Sequence, residues 1–159
     1  MKAASVGEIK KELQTVHPDR LLDLCIQLVK YKKENKEFLS YMLFDSENEL
    51  QYSKEARIEM DELFSGMNTT SVFFAKKTLR KILRNITRYS RYSGSKRLEI
   101  ELLVYFCKKM KKAGLPIHSS QLLLNMYQKQ IEKCNKIVGL LHEDLQYDFR
   151  EELSSLRLP

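Results

Sequence analysis

The chain has 159 residues, 43% of them hydrophobic and 31% charged, with a formal net charge of +7. That length suits a single domain over 1–159 with its own core, and the composition excludes a disordered or low-complexity chain. No run of about 18 apolar residues occurs, so no membrane span is expected.

Glycine and proline are few, and Pro18, Gly66, Gly94, Gly114 and Pro116 punctuate stretches that otherwise have helical periodicity. No segment sustains period-two alternation, so the fold class is all-α. A first short helix starts at Ser5, where Glu8 completes a capping box, and it carries Val6, Ile9 and Leu13. Pro18 suits the first turn of a second helix, with Leu21, Leu24, Cys25 and Leu28 on one face. The next stretch, "YKKENKEFLSYMLF", has no breaker. A turn near Asn35 is expected, rather than one helix to Phe44, because it folds Phe38, Tyr41 and Met42 back onto that stripe.

An acidic helix over 47–64 follows, ending at Gly66, with Ile58, Leu63 and Phe64 as its apolar content. The loop "SGMNTT" is short, so the next, basic helix packs antiparallel to it. That helix places Val72, Ala75, Leu79, Ile82, Leu83 and Ile86 in one stripe. Beyond Gly94, "KRLEIELLVYFCKKMKK" is apolar on most sides, which marks the central, buried helix. Ser119 or Ser120 caps a long helix to Leu141, and a last helix carries Leu145, Phe149, Leu153 and Leu156. The architecture expected is a bundle of about six to eight helices.

A short helical-repeat array is the second choice. It rests on one spacing that occurs twice, in Leu21, Leu24, Leu28, Tyr31 and in Leu79, Ile82, Ile86, Tyr89. The helices that follow these two do not align, which favours amphipathic coincidence. The stretch "LLDLCIQLVKYKKENKEFLSYML", followed by basic and core helices, resembles a family of small all-helical bacterial proteins known only as a domain of unknown function. The resemblance covers about the first 45 residues; it implies a helical fold and no activity.

Chemistry is hard to find. Cys25, Cys107 and Cys134 are odd in number and widely spaced, and each sits among apolar residues, as buried free thiols do. A reducing compartment suits them, and "MKAASVGEIKKELQ" turns charged before any apolar stretch of signal-peptide length. A cytoplasmic protein is therefore expected. His17, His118 and His142 have no second metal ligand at a usable spacing. Cys134 and His142 stand roughly 12 Å apart along a helix, too far for a nucleophile and its base. There is no glycine-rich phosphate loop. No catalytic residue, metal or cofactor is expected, and the enzyme class is set aside.

What remains is charge. From Ser65 to Leu98 there is no carboxylate, while Lys76, Lys77, Arg80, Lys81, Arg84, Arg88 and Arg91 crowd one helix. Like charges four residues apart cost about 0.2–0.5 kcal/mol per pair, so something must offset them. The carboxylates of the preceding acidic helix form one candidate, and their pairing with the basic face, or plain solvation of that face, is the favoured reading. A phosphate backbone, with Tyr89 and Tyr92 available for stacking, is the alternative. An acidic protein partner is the third. The function expected is thus a non-enzymatic protein-interaction domain, possible also as a homo-oligomer, with nucleic-acid binding through 76–97 as the alternative.

Overall fold

The computed structural model describes residues 2–158. Among the described residues there are eight α-helices, one π-helical turn and no strand, so the fold is an all-α bundle. The contacts group the chain into two compact units, Met1–Phe44 and Asp45–Pro159.

The first unit holds α1 (Val6–Thr15), α2 (Pro18–Tyr31) and α3 (Lys33–Ser40), and the π-helical turn Tyr41–Asp45 follows. Ser5 and Glu8 form the expected capping box: the Ser5 Oγ accepts from the Glu8 amide, and Glu8 accepts from the Ser5 amide. His17 caps α2, its Nδ1 accepting from the Asp19 amide at 3.4 Å. The turn comes at Lys32, three residues before the expected Asn35, through a single extended residue with φ −143° and ψ 141°. Asn35 serves that turn differently. Its Nδ2 donates to the Leu28 carbonyl at 2.7 Å, satisfying one of the acceptors a helix end leaves open. None of α1, α2 and α3 has a buried residue, and Val6, Ile9, Leu13, Leu21 and Leu28 are exposed. Cys25 is accordingly half-buried rather than enclosed.

The second unit comprises α4 (Glu49–Ser65), α5 (Val72–Ser93), α6 (Lys96–Lys112), α7 (Gln121–Val138) and α8 (Glu143–Leu156). Three of these helices, α4, α6 and α7, start at a side-chain cap. The Asn48, Ser95 and Ser120 side chains accept from the amides of Gln51, Leu98 and Leu123. Helix α5 stops at Gly94, whose φ of +66° is the left-handed cap that side-chain-bearing residues resist. Helix α7 ends at Val138, short of the expected Leu141, where Gly139 turns the chain.

Helix α6 touches α4, α5, α7 and α8 and is the centre of this unit. Leu98, Ile100, Leu102, Phe106, Cys107 and Met110 are fully enclosed. The acidic helix contributes Tyr52, Ala56 and Met60 to the core. Ile58, expected inside, is exposed, and Leu63 and Phe64 are half-buried. Polar ties join the helices around this core. The Tyr127 hydroxyl donates to the Leu156 carbonyl at 2.6 Å, linking α7 to α8. Lys133 and Lys96 hold Glu99 at 2.7 and 2.8 Å. Burial opposes ionisation of Glu99, but the two ammonium groups outweigh it and keep the carboxyl below its ordinary range. Burial raises the Cys107 and Cys134 thiols, the latter to about 12, so both behave as small apolar side chains. The two segments of shared spacing differ in kind: Leu79, Ile82 and Ile86 are core, whereas Leu21, Leu28 and Tyr31 are exposed.

Candidate functional site

The seam between α4 and α5 decides which cations of the basic helix are neutralised. Glu59 is its hub. Its carboxylate accepts from Asn85 Nδ2 at 2.6 Å and from the Tyr89 hydroxyl at 3.0 Å, with Arg88 Nη2 at 3.7 Å. Burial and the Glu59 carboxylate both push the Tyr89 phenol upward, so it stays a protonated donor. Its ring lies 4.9 Å from that of Tyr52. Asp61 faces α6 instead, accepting from the Tyr105 hydroxyl and from Lys109 Nζ, each at 2.8 Å. Burial disfavours its charge, yet these two partners hold its carboxyl below the usual carboxylate range. Arg57 also turns to α6, with Glu101 at 3.4 Å.

Pairing therefore reaches one of the seven cations, Arg88, and the expected complementarity along the whole face is not what forms. The antiparallel register explains it. Glu59 stands opposite 85–89, so the first half of α5 runs beside the end of α4 and the loop 66–71. Beyond the exposed Glu62, that part of the chain has no carboxylate. Lys76, Lys77, Arg80, Lys81 and Arg84 make no ion pair or side-chain hydrogen bond among the described residues. Arg91 lies apart from them, 5.7 Å over the ring of Tyr92.

Four of these five cations line one open groove of ≈ 450 Å³ together with Phe73 and Leu83; Lys81 lies exposed beside it. Phe73 is 71% exposed and meets Phe74 edge-on at 5.5 Å. The apolar members were not among the residues singled out from sequence: Leu83 was assigned to the core stripe, and the phenylalanines went unremarked. A helical wheel carries the missing signal, because Phe73, Lys77, Arg80 and Arg84 fall at i, i+4, i+7 and i+11 on one face. The arrangement offers apolar contact flanked by flexible cations. Neither tyrosine offered for base stacking is available to this groove: Tyr92 is buried and Tyr89 is bonded into the seam.

Compared with protein-family models, with curated proteins and with solved structures, the chain matches none. Among the described residues no helix is long and apolar enough to cross a membrane. No three His, Cys, Asp or Glu side chains among them come together in a way that would hold a metal ion.

Proposed function

We propose that this protein is a non-enzymatic helical interaction domain, and that the first half of α5 is its working surface, taking an acidic protein partner. One observation carries the reading. Five cations from Lys76 to Arg84 have no counter-charge among the described residues, while Arg88, one turn further on, has Glu59. The repulsion along that face is offset when carboxylates arrive from outside. A protein partner is favoured over nucleic acid because the groove floor is apolar. Phe73 and Leu83 offer side-chain packing; both tyrosines are committed elsewhere, so Phe73 and Phe74 are the exposed rings beside these cations, and the RNA probe below tests whether they stack bases instead.

The test is a binding titration with three labelled probes: an amphipathic peptide with glutamates at four-residue spacing around a tyrosine, a mixed-sequence DNA duplex, and single-stranded RNA. The peptide is expected to bind, and the Arg80→Glu/Arg84→Glu variant to lose about tenfold or more in affinity with unchanged helicity. Tight, steeply salt-dependent binding of DNA or RNA, with none of the peptide, would establish the nucleic-acid alternative instead.

A further inference from the structure

A complement to the α5 face exists on the same chain. Helix α8 packs its Phe149, Leu153 and Leu156 inward against the bundle and turns Asp144, Tyr147 and Glu151 outward. These three stand at i, i+3 and i+7, the spacing of Lys77, Arg80 and Arg84 on α5. The flanks correspond too: Glu143 and Asp148 occupy the places on α8 that Lys76 and Lys81 occupy on α5. Tyr147 is 73% exposed and Leu140 70%, comparable with Phe73. Glu143, Asp148 and Glu151 make no ion pair among the described residues; His142 Nδ1 lies 3.3 Å from Asp144. Arg150 stands on the same helix and its guanidinium donates to Gln146 at 2.9 Å, while Arg57, Arg97 and Lys108 line a pocket with Asp148.

We infer that the partner of the α5 face is a second copy of this chain, presenting α8. The inference rests on the reading of α5 as an acidic-partner surface. Laid side by side in the same direction, the two faces bring Lys77 to Asp144 and Arg84 to Glu151. Tyr147 enters the groove beside Arg80, an aromatic ring against a guanidinium. Charge agrees at Lys77–Asp144 and Arg84–Glu151, with Lys76–Glu143 and Lys81–Asp148 on the flanks, whereas Leu83 falls at Arg150; carboxylates replace most of the like-charge neighbours that α5 leaves uncompensated. The two faces lie on different helices: α5 packs on α4 and α6, and α8 on α6 and α7. Each copy carries both faces, so two copies can pair reciprocally in a closed dimer or successive copies can add head to tail. The net charge of +7 makes copies repel at long range. At about 0.1 M salt that repulsion is screened beyond ~10 Å, and the contact pairs decide.

Sedimentation velocity on the full chain tests this at about 0.1 M salt, where the Debye length is ~10 Å. The mass is expected to rise with concentration above the 18.8 kDa of one chain, and to fall back as salt is raised. Arg80→Glu/Arg84→Glu alone and Asp144→Lys/Glu151→Lys alone should each remain monomeric, as should Tyr147→Ala, which removes the anchor without altering charge. Mixed together, the two charge-reversed variants should associate again, because the native faces pair across the mixture and so do the two reversed ones. All four reversals in one chain should restore association to the mass the wild type reaches. A wild type that stays monomeric at every concentration, yet binds the acidic peptide through Arg80 and Arg84, overturns the second-copy inference and leaves the α5 reading intact. Failure of both self-association and peptide binding overturns both. Self-association that survives the charge reversals and Tyr147→Ala places the interface elsewhere and also overturns the inference.

Discussion

Phe106→Ala is expected to destabilise the folded chain by about 3–5 kcal/mol, and Leu102→Ala by about 2–5 kcal/mol. Both side chains are fully enclosed, and both sit on α6, the helix that α4, α5, α7 and α8 all touch. Truncation there removes apolar burial and leaves a cavity bounded by several helices, which cannot all move inward to close it. The Phe106 ring also lies 5.8 Å from that of Phe64, so the larger change unseats part of α4 as well. Urea unfolding followed by circular dichroism measures the loss. A change under about 1 kcal/mol, the size seen at surface positions, would mean that α6 is not the centre of the core.

Tyr127→Phe is expected to cost about 1–3 kcal/mol, although it deletes a single oxygen. The ring is buried, and its hydroxyl donates at 2.6 Å to the carbonyl of Leu156 at the end of α8. Phenylalanine fills the same space but leaves that carbonyl without its donor, and the cost of burying an unpartnered polar group remains. The loss should appear in the same unfolding measurement, with faster hydrogen exchange concentrated in the last turn of α8. A variant as stable as the wild type, with α8 exchange unchanged, would show that this bond does not fasten α8.

Much of the second unit was legible in the sequence because its signals are local. The period of Leu79, Ile82 and Ile86, the all-round apolar content of α6, and the stops at Gly66 and Gly94 each follow from a few neighbouring residues. Where the reading missed, the deciding cause lay further away. Ile58 is apolar and on a helix, yet Tyr52, Ala56 and Met60 face α5 and α6 and it does not. Lys32 rather than Asn35 makes the turn after α2, because Asn35 acts as a side-chain cap for the helix that has just ended. The candidate site divided in the same way. That seven cations share one helix is visible in the sequence. Which of them Glu59 reaches depends on the register of two packed helices, and composition is silent on that.

The same register gives the α5 face its character. Arg88, Asn85 and Tyr89 belong to the structure: they hold α4 against α5. Lys76 to Arg84 add repulsion along α5 and have no tie among the described residues to any other helix. Side chains kept in that state are understandable as a surface awaiting carboxylates, and the account stands on that distinction.

Chemical denaturation of the Arg80→Gln/Arg84→Gln variant and the wild type, both dilute enough to be monomeric, tests it most directly, because association through α5 would itself add stability to the wild type. Glutamine matches arginine closely in helix propensity, so the comparison isolates charge. Neutralising the two removes repulsion with Lys76, Lys77, Lys81 and Arg88, worth about 0.2–0.5 kcal/mol for each close pair. The variant is expected to be as stable as the wild type or more stable by about 0.5–1 kcal/mol. A variant less stable by about 1 kcal/mol or more, the size of a lost structural interaction, would contradict it, showing that these arginines serve the fold.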